Sequence, residues 1–201
     1  GMSDACLVIQ GPPGTGKTYT AAQVITALLA VGKKVGVTSN SHKAIINLLN
    51  ACGEAAKKNG TSLGGIKVGG EKDEVFFKAN PGIQFIESNK EARGAYGSGI
   101  VGGTAWLFTL PEWENTLDFI FIDEAGQVSL ANAIAVARSA KNIVLIGDQM
   151  QLEQPIQGTH PGDAGLSSLQ YALKDLKASK EDSPVFHSVV PNDYGLFLGE
   201  S

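Results

Sequence analysis

Short apolar runs recur along the chain, separated by longer stretches in which apolar positions return every three or four residues. The runs at 7–10, 34–38, 66–68, 84–86, 100–103, 119–123 and 143–147 read as strands. Phe119-Ile-Phe-Ile and Ile143-Val-Leu-Ile carry no polar alternation, the pattern of strands covered on both faces. Helical periodicity is clearest over 19–30, 41–58 and 128–140. Such alternation predicts an α/β domain, a mainly parallel sheet with helices on both faces and ligands at the carboxyl ends of the strands. Residues 60–99 are glycine-rich and weakly periodic, and beyond the two short strands the pattern does not place them. The tail from Lys174 is polar to about Pro184 and mixed thereafter.

The first strand leads directly into Gly11-Pro12-Pro13-Gly14-Thr15-Gly16-Lys17-Thr18, and a helical stretch follows. This strand–loop–helix arrangement fits G-x-x-x-x-G-K-[ST], the loop that holds the phosphates of a nucleoside triphosphate. Its glycines let successive backbone N–H groups turn toward the phosphates, and the helix N-terminus adds partial positive charge. Lys17 is expected to reach the β- and γ-phosphates, and Thr18 to place its hydroxyl on Mg²⁺.

A second element, Asp123-Glu124, follows the strand Phe119-Ile-Phe-Ile. An aspartate at a buried strand end can hold Mg²⁺, usually through water, and the neighbouring glutamate can orient the attacking water or accept its proton. The alternative is a pair of acids at a helix start, which the helix dipole favours. Gln127 and the segment Gly147-Asp-Gln-Met-Gln-Leu152 lie downstream. A neutral amide beside the γ-phosphate can tell triphosphate from diphosphate without adding charge, and Gln151 is the candidate for that sensor.

Composition narrows the class. The 201 residues carry a net charge of −4, which argues against a strongly basic nucleic-acid surface. The charge is uneven: six lysines (33, 34, 43, 57, 58 and 67) face a single acid, Glu54, between residues 31 and 70. Taken alone, a solvated helix face is the plainer explanation for them. No apolar run approaches the ~20 residues that span a bilayer, so no membrane partner is expected. Cys6 and Cys52 lack metal-ligand spacing and read as reduced core or near-core thiols of a cytoplasmic protein. Gly1 ahead of Met2 reads as a tag scar, which makes residues 1–4 a leader. Residues 5–173 then form the main domain. Residues 174–201 are an extension, closing on Leu196-Phe197-Leu198 as an unfinished element.

Together, Gly11–Thr18, Thr38-Ser-Asn-Ser-His-Lys43, Gly103-Thr104, Asp123-Glu-Ala-Gly-Gln127 and Gly147–Leu152 resemble motifs I, Ia, Ic, II and III of superfamily 1 helicases, in order and form. The wording is similar to the 5′→3′ branch that includes the nonsense-mediated-decay helicase, and covers roughly residues 5–173. The stretch Gln157-Gly-Thr-His-Pro-Gly-Asp-Ala-Gly-Leu-Ser further resembles bacterial proteins that fuse such a helicase to a RecB-like nuclease. The resemblance implies a first RecA-like motor domain using ATP and Mg²⁺, with Lys17, Thr18, Asp123, Glu124 and Gln151 at the nucleotide. It also implies a track for single-stranded DNA or RNA along Thr38, Ser39, Asn40, His42, Gly103 and Thr104. Short hydroxyl and amide side chains grip phosphates without basic charge.

Plainer readings stand beside these assignments. Ser41 can be a helix N-cap, His42 a surface or packing residue, and Trp106 a base-stacking, core or interface residue; His160 and His187 show no pattern. Members of that family complete the site with arginines from a second RecA-like domain, and read adenine with a glutamine upstream of the first strand. The resemblance places both outside this chain. Two other classes stay open. An AAA+ type remodelling ATPase accommodates the same loop, but would carry an asparagine sensor strand and an arginine-bearing lid. A nucleotide-dependent docking module would ordinarily have lost Lys17 or Glu124.

Overall fold

The computed structural model describes residues 5–148, 166–173 and 189–199. Its strands are β1 (Cys6–Gln10), β2 (Val35–Thr38), β3 (Gly65–Val68), β4 (Ile83–Ile86), β5 (Ile100–Gly102), β6 (Leu117–Ile122), β7 (Ala140–Gly147) and β8 (Gly195–Phe197). They form one sheet in the order β4-β3-β5-β2-β6-β7-β1-β8. Every neighbouring pair is parallel. The crossovers carry α1 (Lys17–Ala30), α2 (His42–Lys58), α3 (Glu74–Ala79), α4 (Asn89–Ala95), α5 (Ala105–Phe108), α6 (Leu130–Ala137) and α7 (Ser168–Leu173).

The unbroken apolar strands are explained by two cores, one on each face. Ile9, Val37, Phe121, Val144 and Ile146 pack with Ala21 and Ile25 of α1, Ile45 and Leu48 of α2, and Phe76 of α3. Their sequence neighbours Val8, Ile120, Ile122 and Leu145 point the other way, against Leu107 and Phe108 of α5, Val136 of α6 and Leu169 of α7. Successive strand side chains alternate between the faces, so a strand buried on both cannot alternate in polarity. The expected α/β architecture, with its mainly parallel sheet and helices on both sides, is the one observed.

The differences are local. The helix expected over 128–140 is shorter: Ser129 caps it by accepting from the Asn132 N–H, and Ala140 already begins β7. The weakly periodic middle folds through α3 and α4, each capped by a side chain, Asp73 and Ser88 respectively. At 6 and 7 residues, these helices are too short to print a period. Leu196-Phe197-Leu198 is not an element beyond the domain: β8 pairs with β1 and covers backbone groups that an edge strand would leave open. The Leu198 N–H donates to the Gln10 carbonyl at 2.8 Å, and Gln10 Oε1 accepts from the Val190 N–H at 2.8 Å. β8 therefore joins the sheet of the main domain, and residues 189–199 pack with it. Cys52 is a core thiol, pushed up to about 12 by burial, whereas Cys6 is exposed at the start of β1. Trp113 is fully buried beside Tyr96 and Phe108. Trp106 is 78% exposed and not a core residue.

Candidate functional site

The phosphate loop connects the carboxyl end of β1 to α1. Gly14 and Gly16 take φ of 84° and 80°, left-handed values that a side chain resists. Among the described residues, no backbone carbonyl accepts from the N–H groups of Gly14, Thr15 and Gly16. The loop thus offers uncommitted donors at a helix start, the arrangement that binds phosphate. Thr15 Oγ1 donates to the Pro12 carbonyl at 2.8 Å and braces the loop. The Lys17 ammonium folds back onto the carbonyls of Gly11 (2.6 Å) and Pro12 (2.7 Å). Burial pulls this ammonium below its ordinary range, while the carboxylates of Asp148 and Asp123 pull it back. Thr18, one residue on, is exposed at the mouth of the loop.

Asp123 stands just past β6, two strands from β1, with β7 between. Burial raises its carboxyl to about 6, and the charge of Glu124 adds to the rise. The Glu124 N–H and Lys17 oppose it, the former by donating to Asp123 Oδ1 at 2.9 Å. Glu124 occupies the left-handed region at φ 55°, which costs a non-glycine residue of order 1–3 kcal/mol and is concentrated at functional sites. It does not begin a regular helix, so the simple helix-start reading of the two acids does not apply: a short 3-10 turn over Ala125–Gln127 follows. The Ser39 hydroxyl donates to Glu124 Oε2 at 3.1 Å.

These groups suit a nucleotide with Mg²⁺. The oxygen donors of Thr18 and Asp123 are hard, as Mg²⁺ requires. Among the described residues no three acids, histidines or cysteines form a ready-made metal cage. An ion held by one or two carboxylates together with phosphate needs none.

The residues expected along the nucleic-acid track separate into two sets. Thr38 and Ser39 are 2% and 4% exposed and face inward, with Ser39 turned to Glu124. Among the described residues the Thr38 hydroxyl is buried without a hydrogen-bond partner. Asn40 is exposed and donates from Nδ2 to the Gln127 carbonyl at 3.2 Å. Ser41 is indeed the N-cap of α2, accepting from the Ala44 N–H at 3.1 Å. His42 is half-buried at the first position of α2, and its imidazole is held below its ordinary range by burial and by the cation of Lys67. Gly103 is buried against Leu107, and its N–H donates to the Val37 carbonyl at 3.1 Å. Thr104 precedes α5 without capping it. Gln151 lies outside the described residues, as do His160 and His187.

Motif spacing alone does not reveal three contributors. Asp148, 6% exposed at the end of β7, acts on Lys17. Gly126 lets the second element press against β7, since a Cβ there would fall 2.6 Å from the Asp148 carbonyl oxygen. Ser39 joins the segment after β2 to the candidate base. All three lie within the motif segments Thr38–Lys43, Asp123–Gln127 and Gly147–Leu152, which signal the residues, but each contact joins segments distant in sequence and has no local signal of its partner.

Comparison with known proteins identifies the family. Residues 1–164 match the family described as AAA domain. The DNA replication ATP-dependent helicase/nuclease DNA2 of Saccharomyces cerevisiae is 30% identical over 158 residues, 72% of this chain and 10% of that protein. Its counterpart in Gallus gallus is 30% identical over 173 residues, 80% of this chain and 16% of that protein. The chain thus corresponds to a small part of these relatives. Among solved structures, a nuclease-deletion mutant of the Type ISP restriction-modification enzyme LlaGI, in complex with a DNA substrate mimic, superposes with a TM-score of 0.50. It shares 17% identity, covering 71% of this chain and 13% of that one, and shows likeness of fold. The chain therefore belongs to the AAA domain family, as a helicase-like ATPase domain with the RecA-type fold.

Proposed function

We propose that this chain holds the first RecA-like motor domain, residues 5–173 with β8 added to its sheet, of an ATP-dependent helicase or translocase moving 5′→3′ on single-stranded DNA or RNA. One observation carries the reading: the carboxyl ends of β1, β6 and β7 bring Lys17, Asp123, Glu124 and Asp148 to one site, and Ser39 of the candidate strand-gripping segment bonds directly to Glu124. Bound between Thr18 and Asp123, Mg²⁺ would supply positive charge to the β- and γ-phosphates. Lys17 leaves the Gly11 and Pro12 carbonyls for phosphate oxygens. Glu124 orients a water and takes its proton, held in place by Ser39. Gln151 senses the γ-phosphate. Asn40, His42 and Thr104 contact the strand, and Thr38, Ser39 and Gly103 relay its position from beneath.

The relatives are helicase/nucleases, which supports a nucleic-acid motor and, in the parent protein, a fused nuclease domain. The motif wording supports the branch of the nonsense-mediated-decay helicase. Two unpaired cysteines suit the cytoplasm. A second RecA-like domain would supply arginines, without which rates fall ~10³–10⁵-fold; this chain alone therefore binds nucleotide weakly and hydrolyses it slowly. The test is ATP hydrolysis by the parent protein with and without single-stranded DNA or RNA, beside Glu124→Gln, followed by unwinding of duplexes with 5′ or 3′ tails. Stimulation that vanishes in the variant is expected. The AAA domain match also favours a remodelling ATPase, and hydrolysis that depends on Glu124 but ignores both polymers would select it.

A further inference from the structure

We propose that Lys67 is a positioning residue for His42: its ammonium fixes the imidazole in the tautomer that presents Nε2–H to solvent at the start of α2, as a donor to a phosphodiester oxygen of a bound single strand. The inference rests on the nucleic-acid reading above. Lys67 lies inside the sheet, in register with Phe85 of β4 and Gly102 of β5, and is 0% exposed. A fully buried lysine is rare and costly unless its charge is held. Ion pairs among the described residues join Lys33 to Asp118, Lys72 to Glu74 and Arg138 to Glu114, and none includes Lys67. Asp73 acts on it only at longer range.

What holds the ammonium is the Gly69 carbonyl, His42 Nδ1 at 3.3 Å and the face of the Phe85 ring, 5.7 Å to its centroid. A lysine ammonium only donates, so Nδ1 must offer its lone pair, and a neutral imidazole then carries its proton on Nε2. Among the described residues Nε2 has no hydrogen-bond partner and is not one of the fully buried unpartnered atoms, and His42 is only half-buried, so this N–H is left for an outside acceptor. The turn after β3 clamps the ring: Gly69 and Gly70 take φ of 70° and 68°, and a Cβ on Gly70 would fall 2.6 Å from His42 Cγ. The surroundings favour an anion. The first turn of α2 holds no acid, Lys43 follows His42, and the helix start contributes partial positive charge. An outward N–H backed by a buried cation is suited to a phosphate oxygen.

The test combines two measurements on the 201-residue chain. Long-range ¹H–¹⁵N spectra give the protonation of each imidazole nitrogen, with His42→Ala assigning the signal among the three histidines. Fluorescence anisotropy at low ionic strength gives affinity for labelled oligo-dT and oligo-U. His42 of the unaltered chain is expected with Nε2 protonated and Nδ1 bare, and Lys67→Met is expected to release a mixture of tautomers. At pH ~8.5, where an imidazole is neutral with or without the neighbouring cation, His42→Ala should weaken oligonucleotide binding about tenfold, the scale of one hydrogen bond to a charged group. Lys67→Met should weaken it about twofold, since an even mixture of tautomers leaves about half the rings competent. The double variant should be no weaker than His42→Ala. Lys67→Gln keeps a donor without the buried charge and should preserve the tautomer, which maintains the test if the methionine variant does not fold. Oligonucleotide binding with His42 protonated on Nδ1, or with losses that multiply in the double variant, would overturn the role of Lys67 alone. No binding of either oligonucleotide would overturn the nucleic-acid reading and the phosphate contact with it.

Discussion

Replacing Asp123 by asparagine should make the ligand-free protein more stable and, at the same time, unable to hold Mg²⁺. Burial raises this carboxyl from the ordinary 3.8 to about 6, so the folded state holds the proton more tightly than the unfolded chain does. Stability therefore falls as pH rises between these values, and above about pH 6 the whole cost is present. At about 1.4 kcal/mol per pH unit of separation, the charged carboxylate costs the fold about 3 kcal/mol at neutral pH. Asparagine removes the charge, and its oxygen can still accept the Glu124 N–H now bonded to Asp123 at 2.9 Å. Part of the gain is lost because the amide's own N–H groups need partners, which leaves about 1–3 kcal/mol. Urea denaturation at a series of pH values without Mg²⁺ reads this directly. The midpoint of Asp123→Asn should exceed that of the unaltered protein by up to about 1 M at pH 7.5, and the advantage should shrink as pH falls from 6 to 4. Addition of ATP and Mg²⁺ should stabilise only the unaltered protein, by mass action. An advantage absent at pH 7.5, or unchanged between pH 7.5 and 4, would show that burial does not set the carboxyl's affinity for its proton.

Further outcomes follow from individual contacts. Glu124→Gln in the parent protein should lower ATP turnover by ~10²–10⁴, the scale of one general base, while leaving fluorescent-nucleotide affinity nearly unchanged; equal loss of both would deny Glu124 that role. Ser39→Ala removes the donor 3.1 Å from Glu124 Oε2 and should reduce kcat about tenfold with KM little altered. A change in KM alone would place Ser39 elsewhere in the cycle. Thr38→Val replaces a buried hydroxyl that has no partner among the described residues by a methyl of similar size, so thermal or urea denaturation should show a gain of about 1 kcal/mol. Destabilisation would reveal a bond to that hydroxyl. In acrylamide quenching, Trp106 (78% exposed) should be quenched freely and Trp113 (0%) shielded. Trp106→Phe should therefore leave only blue-shifted, protected emission.

The sequence alone determined the features that depend on neighbouring residues. Gly11–Thr18 needs a strand before it, a helix after it and glycines within it, all readable in consecutive positions. The uniform polarity of Phe119–Ile122 required cover on both faces, and hence the parallel sheet. Asp123-Glu124 followed from its place at the end of such a strand. Tertiary structure decided whatever depends on segments far apart in the chain. It separated the six residues of the expected track into an inward set and an outward set, because β2 and β5 end buried and only the residues beyond their ends emerge. It bonded Ser39 to Glu124 across 85 positions and set Lys67 behind His42 across 25. It also turned Leu196-Phe197-Leu198 from an apparent overhang into cover for β1. A lone lysine in a short strand, or three apolar residues near the end of the chain, carries no local signal of such a partner. Their meaning comes from burial and register, which arise only when the sheet assembles.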